Sequence, residues 1–174
     1  EIEARSADRI ESREEIVFDA ASGSLRARRL RRLGAIVLAE QPMPVAPSEE
    51  TARVLADAVV RLGVDRLPWT KSLQQWRDRI GFLRRVDLAA TRERQQVAGS
   101  TSAKADGDEW PDLSDAALAA SAADWLVPAL AGKTALSSLQ SDTLADALHG
   151  LLPWRLSRRL DAEAPTHFSA PSGS

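Results

Sequence analysis

The sequence predicts a mainly α protein with a small β element: an α+β chain in which an N-terminal β-hairpin or meander precedes a five- or six-helix bundle. Three observations carry this. The β-prone runs, Ile16-Val17-Phe18, Leu25 to Leu33 and Ile36-Val37-Leu38, all precede Pro42. Beyond Pro47, leucine, alanine and tryptophan recur at three- and four-residue spacing, the period of an amphipathic helix. The composition, 44% hydrophobic and 28% charged, is that of an ordinary globular chain.

Residues 14–41 read as β structure. Ala20 to Gly23 supplies a turn, Leu25 to Leu33 alternates loosely, and Gly34 marks a bulge or a bend. Ala35-Ile36-Val37-Leu38 is an apolar run short enough for a buried strand, and the cluster from Pro42 to Pro47 closes the region.

The first helix starts at Ser48, a side chain suited to capping. Glu49 and Glu50 stand at the positive end of its dipole, Leu55, Val59 and Leu62 form its apolar face, and Gly63 is its stop. A second helix follows Leu67-Pro68-Trp69, capped by Thr70, with Leu73, Trp76, Ile80 and Leu83 on one stripe; the two helices should form a hairpin. Residues 97–108 lack an apolar period and read as a flexible loop. Ser114 then caps a helix buried through Leu118, Ala122, Trp125 and Ala129, with Leu113 stapled on Leu118 and Pro128 limiting its end. Ser141 caps a helix carrying Leu144, Leu148 and Leu151. Pro153 opens the last helix, with Leu156 and Leu160 inside and Pro165 beyond its end. Leu-Pro-Trp occurs twice, at Leu67 and Leu152, each time before an arginine-bearing helix, and reads as repeated use of proline as a helix starter. Glu1 sits in a charged run without an initiator methionine, and the tail from Pro171 to Ser174 opens a segment with nothing to pair against, so both ends read as cut.

Chemistry-bearing patterns are sparse. With no cysteine, disulfides and thiolate metal ligation are unavailable. No apolar run approaches the roughly 18 residues of a membrane span. Lys133 sits in Ala-Gly-Lys-Thr without the glycine spacing of a phosphate loop, and His149 and His167 lack a second histidine nearby, so no metal site is expected. Asp57, Asp115 and Asp124 fall on exposed or capping positions, and no serine stands in a nucleophile elbow. The chain by itself is therefore expected to be non-catalytic and without a cofactor. The five arginines Arg26, Arg28, Arg29, Arg31 and Arg32 are the one positive signal. On a strand, alternate guanidinium groups would project to one face and could contact phosphates. Glu11, Glu14, Glu15 and Asp19 are close enough in sequence to offset them, and GC-rich codon usage gives the same arginine excess. The tryptophans Trp69, Trp76, Trp110, Trp125 and Trp154 read as core anchors rather than base-stacking platforms.

A set of strings in fixed order carries a family resemblance: Arg9 to Glu15, Arg31 to Leu38, Leu67-Pro68-Trp69, Trp110 to Asp115, Trp125-Leu126-x-Pro128 and Pro165-Thr166-His167-x-x-x-Pro171-Ser172-Gly173-Ser174. Together they resemble the C-terminal region of bacterial HrpB-type DEAH-box ATP-dependent RNA helicases. The resemblance implies a piece downstream of two RecA-like motor domains, carrying none of the helicase motifs. Residues 1–46 would end a β-rich, OB-like module, 47–165 would form the helical C-terminal domain, and 166–174 would begin a further β segment. It implies ATP and Mg in the parent protein, the upstream helicase core of the same chain as partner, RNA or DNA as a further partner, no membrane, and a cytoplasmic location. The alternative is a helical scaffold or protein-docking module with no nucleic-acid contact.

Overall fold

The computed structural model describes residues 10–98 and 109–165. The β segment expected at 166–174, which includes His167, and most of the predicted 97–108 loop lie outside them. Three antiparallel strands come first: β1 (Ile10–Asp19), β2 (Ser24–Leu33) and β3 (Ile36–Met43), paired in the order β1-β2-β3. Six helices follow: α1 (Glu49–Leu62), α2 (Lys71–Ala98), α3 (Asp115–Ala120), α4 (Ala122–Ala129), α5 (Ser141–His149) and α6 (Trp154–Glu163). This is the α+β arrangement the sequence predicts. No helix among the described residues is long and apolar enough to cross a membrane.

The β1–β2 turn is closed by Asp19, whose carboxylate accepts from the Ala21 N–H at 3.2 Å and the Ser22 hydroxyl at 2.8 Å. Gly34 is neither a bulge nor a bend within a strand. With φ 60° it opens the two-residue Gly34-Ala35 hairpin turn, a backbone region that favours glycine. The bulge lies in β3, where Arg31 pairs with Ala39 and Arg32 with Val37, leaving Leu38 extra.

The sheet meets the helices at one end only. Leu25 is buried in the common core, Ile16 and Phe18 pack against it, and the neighbouring backbone is tied to the loop before α5. Leu25 N donates to Thr134 O at 2.8 Å, and Leu136 N donates to Gly23 O at 2.9 Å. The opposite end carries the Gly34 turn and adds no described residue to that core, although Leu30 is buried on the sheet's other face. This corrects the expected buried strand: Ile36 is 63% exposed, with Val37 and Leu38 close to half exposed, because β3 is an edge strand at the end remote from the bundle.

The helical core is built from Leu55, Val59, Leu73, Ile80, Leu83, Leu118, Trp125, Leu144, Leu148, Leu156 and Leu160, which the helical period selects, joined by Leu126 and by Trp110 from the segment before α3. Ser48 caps α1 reciprocally with Thr51, as the Thr51 N–H donates to Ser48 Oγ and the Ser48 N–H donates to Thr51 Oγ1. Gly63 ends α1 at φ 108°. Four details differ from the sequence expectations. Leu62 is exposed, because α1 turns its buried stripe through Ala52, Leu55, Ala56 and Val59. The chief helix partner of α1 is α4 rather than α2, so the expected α1–α2 hairpin is not formed. The single helix expected after Ser114 is two, broken at Ser121, whose hydroxyl donates back to Ala117 O at 2.9 Å, a bond that competes with the helical ladder. Gln140, not Ser141, is the cap position of α5, and Leu151 lies past the helix end.

Candidate nucleic-acid interface

The five predicted contact residues all fall on β2, the central strand, and strand geometry splits them between two faces. Arg26, Arg28 and Arg32 share one face with Leu30. Arg29 and Arg31 share the other with Leu25. The register then decides their electrostatics. Arg28 stands opposite Glu15 and donates to it at 2.8 Å through Nε; its Nη1 also reaches Glu40 of β3 at 3.1 Å. Arg29 stands opposite Glu14 and pairs with it at 2.8 Å, and Arg26 pairs diagonally with Asp19 at 2.7 Å. The Arg28 guanidinium is held more firmly protonated than usual by its hydrogen bonds to Glu15 and then Glu40. The Asp19 carboxyl is held below its ordinary range, first by the Ser22 hydroxyl and then by Arg26.

Three of the five cations are thus already matched by carboxylates of β1 and β3. Arg31 and Arg32 form no ion pair among the described residues, and Arg32 Nε is buried without a hydrogen-bond partner. The sheet brings the arginines onto one strand but leaves only these two, on opposite faces near the Gly34 turn, to meet an outside anion. A phosphate-contacting surface on β2 would therefore be narrow.

A second arginine group was not singled out by sequence reasoning. Arg77, Arg84 and Arg85 of α2 line a cleft of about 610 Å³ closed by Asp112, Leu113 and Ser114. Arg77 donates to Leu113 O at 2.6 Å and pairs with Asp115 at 2.7 Å; Arg84 lies 3.3 Å from Asp112. The Asp112 carboxyl is depressed mainly by its hydrogen bonds to the backbone and hydroxyl of Ser114, with Arg84 and Arg77 adding to the effect. Asp78, Asp112 and Asp115 balance the three arginines, so the cleft fastens the start of α3 to α2 rather than offering a basic pocket. The seven-residue interval between Arg77 and Arg84, which keeps both on one helix face, was the available signal.

Arg159 of α6 forms the third constellation. It makes two hydrogen bonds to Asp87 of α2, at 2.8 and 3.0 Å, and lies 5.5 Å from the ring centroid of Trp110, whose indole N–H donates to the same Asp87. This ties α2, α6 and the start of the 109–114 segment together. His149 sits edge-on against Trp76 at 4.6 Å.

The family comparisons fall on these elements. A family model described as ATP-dependent RNA helicase HrpB, connector region, matches residues 9–43, the whole three-stranded sheet. A second, described as ATP-dependent helicase C-terminal, matches residues 125–174, from the middle of α4 onward. Both matched regions carry HrpB or helicase C-terminal descriptions, so the chain is similar to a C-terminal segment of the HrpB-type helicases. The ATP-dependent RNA helicase HrpB of Escherichia coli strain K12 is 28% identical over 174 residues, covering 100% of this chain and 19% of the relative. The crystal structure of the E. coli DExH-box NTPase HrpB superposes with a TM-score of 0.56 at 28% identity, covering 100% of this chain and 20% of that one. A crystal structure of the Escherichia coli DEAH/RHA helicase HrpB gives the same TM-score of 0.56 over 95% of this chain. The chain thus spans about a fifth of the length of its HrpB relatives.

Proposed function

We propose that the chain is a non-catalytic accessory module of an ATP-dependent, DEAH-box RNA helicase, bracing the motor and helping to position nucleic acid. The observation that carries the reading is the joint between the two family regions. The connector sheet does not hang on a linker: Leu25 enters the helical core, and the backbone bonds of Gly23 and Leu25 to Leu136 and Thr134 fix the sheet to the bundle. A unit so built passes load between a motor on one side and nucleic acid on the other. ATP and Mg belong to the motor of the longer cytoplasmic protein in this proposal, and the upstream helicase core is the module's partner.

The test uses the longer polypeptide. Arg31→Ala with Arg32→Ala should weaken RNA binding and flatten its salt dependence by about 0.7 per lost single-strand contact, while ATP hydrolysis without RNA stays unchanged. Unchanged RNA binding and unwinding would remove the nucleic-acid role.

One observation favours a second reading, a protein-docking module. Phe82 and Val86 stand one turn apart on α2, 53% and 47% exposed. Phe82→Ser with Val86→Ser should then abolish a protein association while leaving RNA affinity intact.

A further inference from the structure

The two Leu-Pro-Trp turns treat their tryptophans differently. Trp154, the first residue of α6, is 67% exposed, the most exposed of the large apolar side chains that stand out on the described surface. This overturns its expected place as a core anchor. Two arginines accompany it. Arg155 follows it directly, Arg158 lies one helical turn on along the same face, and both are exposed. Neither makes an ion pair among the described residues, whereas Arg159 on the buried side is doubly engaged by Asp87 and Glu163. Ser157 completes the outer surface, and Asp161 at its far end is turned to Arg79. Pro153 provides no side-chain cap, so the first backbone N–H groups of α6 face outward with the positive end of the dipole.

We infer that Trp154, Arg155 and Arg158 form a contact site for single-stranded RNA, the indole stacking on a base and the two guanidinium groups holding the adjoining phosphates. This rests on the reading that the protein handles RNA, and moves the contact from β2 to α6. An exposed indole flanked by unpaired arginines has the two parts of a sequence-tolerant single-strand site, a stacking face and a positive track. A protein-docking surface has a different character. Phe82 and Val86 extend an apolar stripe, whereas the exposed neighbours of Trp154 are arginine, serine and proline.

The experiment measures binding of the 174-residue chain to a fluorescein-labelled single-stranded oligo(U) 12-mer, and to an RNA duplex of the same length, by anisotropy at several salt concentrations. Trp154→Ala should weaken single-strand binding about tenfold, Trp154→Phe by no more than about threefold, and duplex binding should change little. Arg155→Ala with Arg158→Ala should lower the single-strand salt slope by about 1.4. A Trp154→Ala chain that binds oligo(U) as tightly as the parent overturns the inference. If Arg31→Ala with Arg32→Ala alone removes binding, the accessory RNA role stands and the α6 site falls. If the parent chain binds neither RNA, both fall. A dimer that Trp154→Ala converts to monomer without loss of RNA affinity, read by sedimentation, assigns the indole to protein contact and also overturns the site.

Discussion

Leu67-Pro68-Trp69 and Leu152-Pro153-Trp154 share a tripeptide and a local role, yet their indoles end in different places. Both leucines are buried, at 6% and 8% exposure, and both prolines lead into an amphipathic helix. The first turn follows a short 3-10 segment, Val64–Arg66. Its Val64 carbonyl accepts the Trp69 indole N–H at 2.8 Å, and Arg77 lies 5.2 Å from that ring's centroid. The second turn follows α5 through Gly150 and Leu151, and no described residue takes up the Trp154 indole. Leucine and proline set the chain path. Whether tryptophan folds back depends on what precedes the tripeptide, so a repeated string fixes a helix start without fixing a function.

The sharpest way to break the comparison is at its shared part. Leu67→Ala and Leu152→Ala should each cost about 2–4 kcal/mol in urea unfolding, and a large gap between them would mean the turns are not equivalent anchors. Next in size is the part that differs. Trp69→Ala should cost about 2–3 kcal/mol through lost packing and the lost indole bond to the Val64 carbonyl, which keeps only the Leu67 N–H, whereas Trp154→Ala should stay within about 0.5 kcal/mol. Equal losses would place Trp154 in the core after all. Pro68→Ala and Pro153→Ala should each lower stability by only about 0.4–1 kcal/mol, through a freer unfolded chain.

The smallest effect contrasts these proline-started helices with α3, whose start is held by Asp112 and Ser114. The Asp112 carboxyl is depressed below its ordinary value of 3.8, so its contribution is present above that pH and is lost as pH falls through the depressed folded-state value. Asp112→Asn should remove that acid-side dependence. Because the carboxylate is 43% exposed, solvent screening keeps the effect to about a few tenths of a kcal/mol, best followed by carboxyl NMR titration.

How much of this could be read in advance varied with the kind of information involved. Local signals transferred well. Ser48, Gly63, Thr70 and Pro153 mark helix boundaries through bonds within a few residues, and Thr70 Oγ1 indeed accepts from Leu73 N at 3.2 Å. What depends on a distant neighbour did not. An apolar run such as Ile36 to Leu38 reports that burial would be favourable, not that a second layer is present. The pairing of α1 with α4 skips over α2 and α3, and no spacing rule encodes it. On β2 the arginines were plain in the sequence, and so were Glu14, Glu15 and Asp19. Their pairing was set by the hairpin register, which also brought in Glu40 from β3. The outward-facing Trp154 was hidden for the same reason. Its apolar character matched a core position, and only the surrounding geometry shows that it stands largely exposed.

The sheet's one-ended attachment has a mechanical consequence. The nine residue steps from Leu25 to Gly34, rising about 3.4 Å each, make a lever arm of about 31 Å, with its fulcrum at Leu25 and Thr134 and its tip at Gly34. A rotation of the bundle by about 10° would sweep that tip through about 5 Å, more than the roughly 3.4 Å rise between successive phosphates along one strand of a duplex.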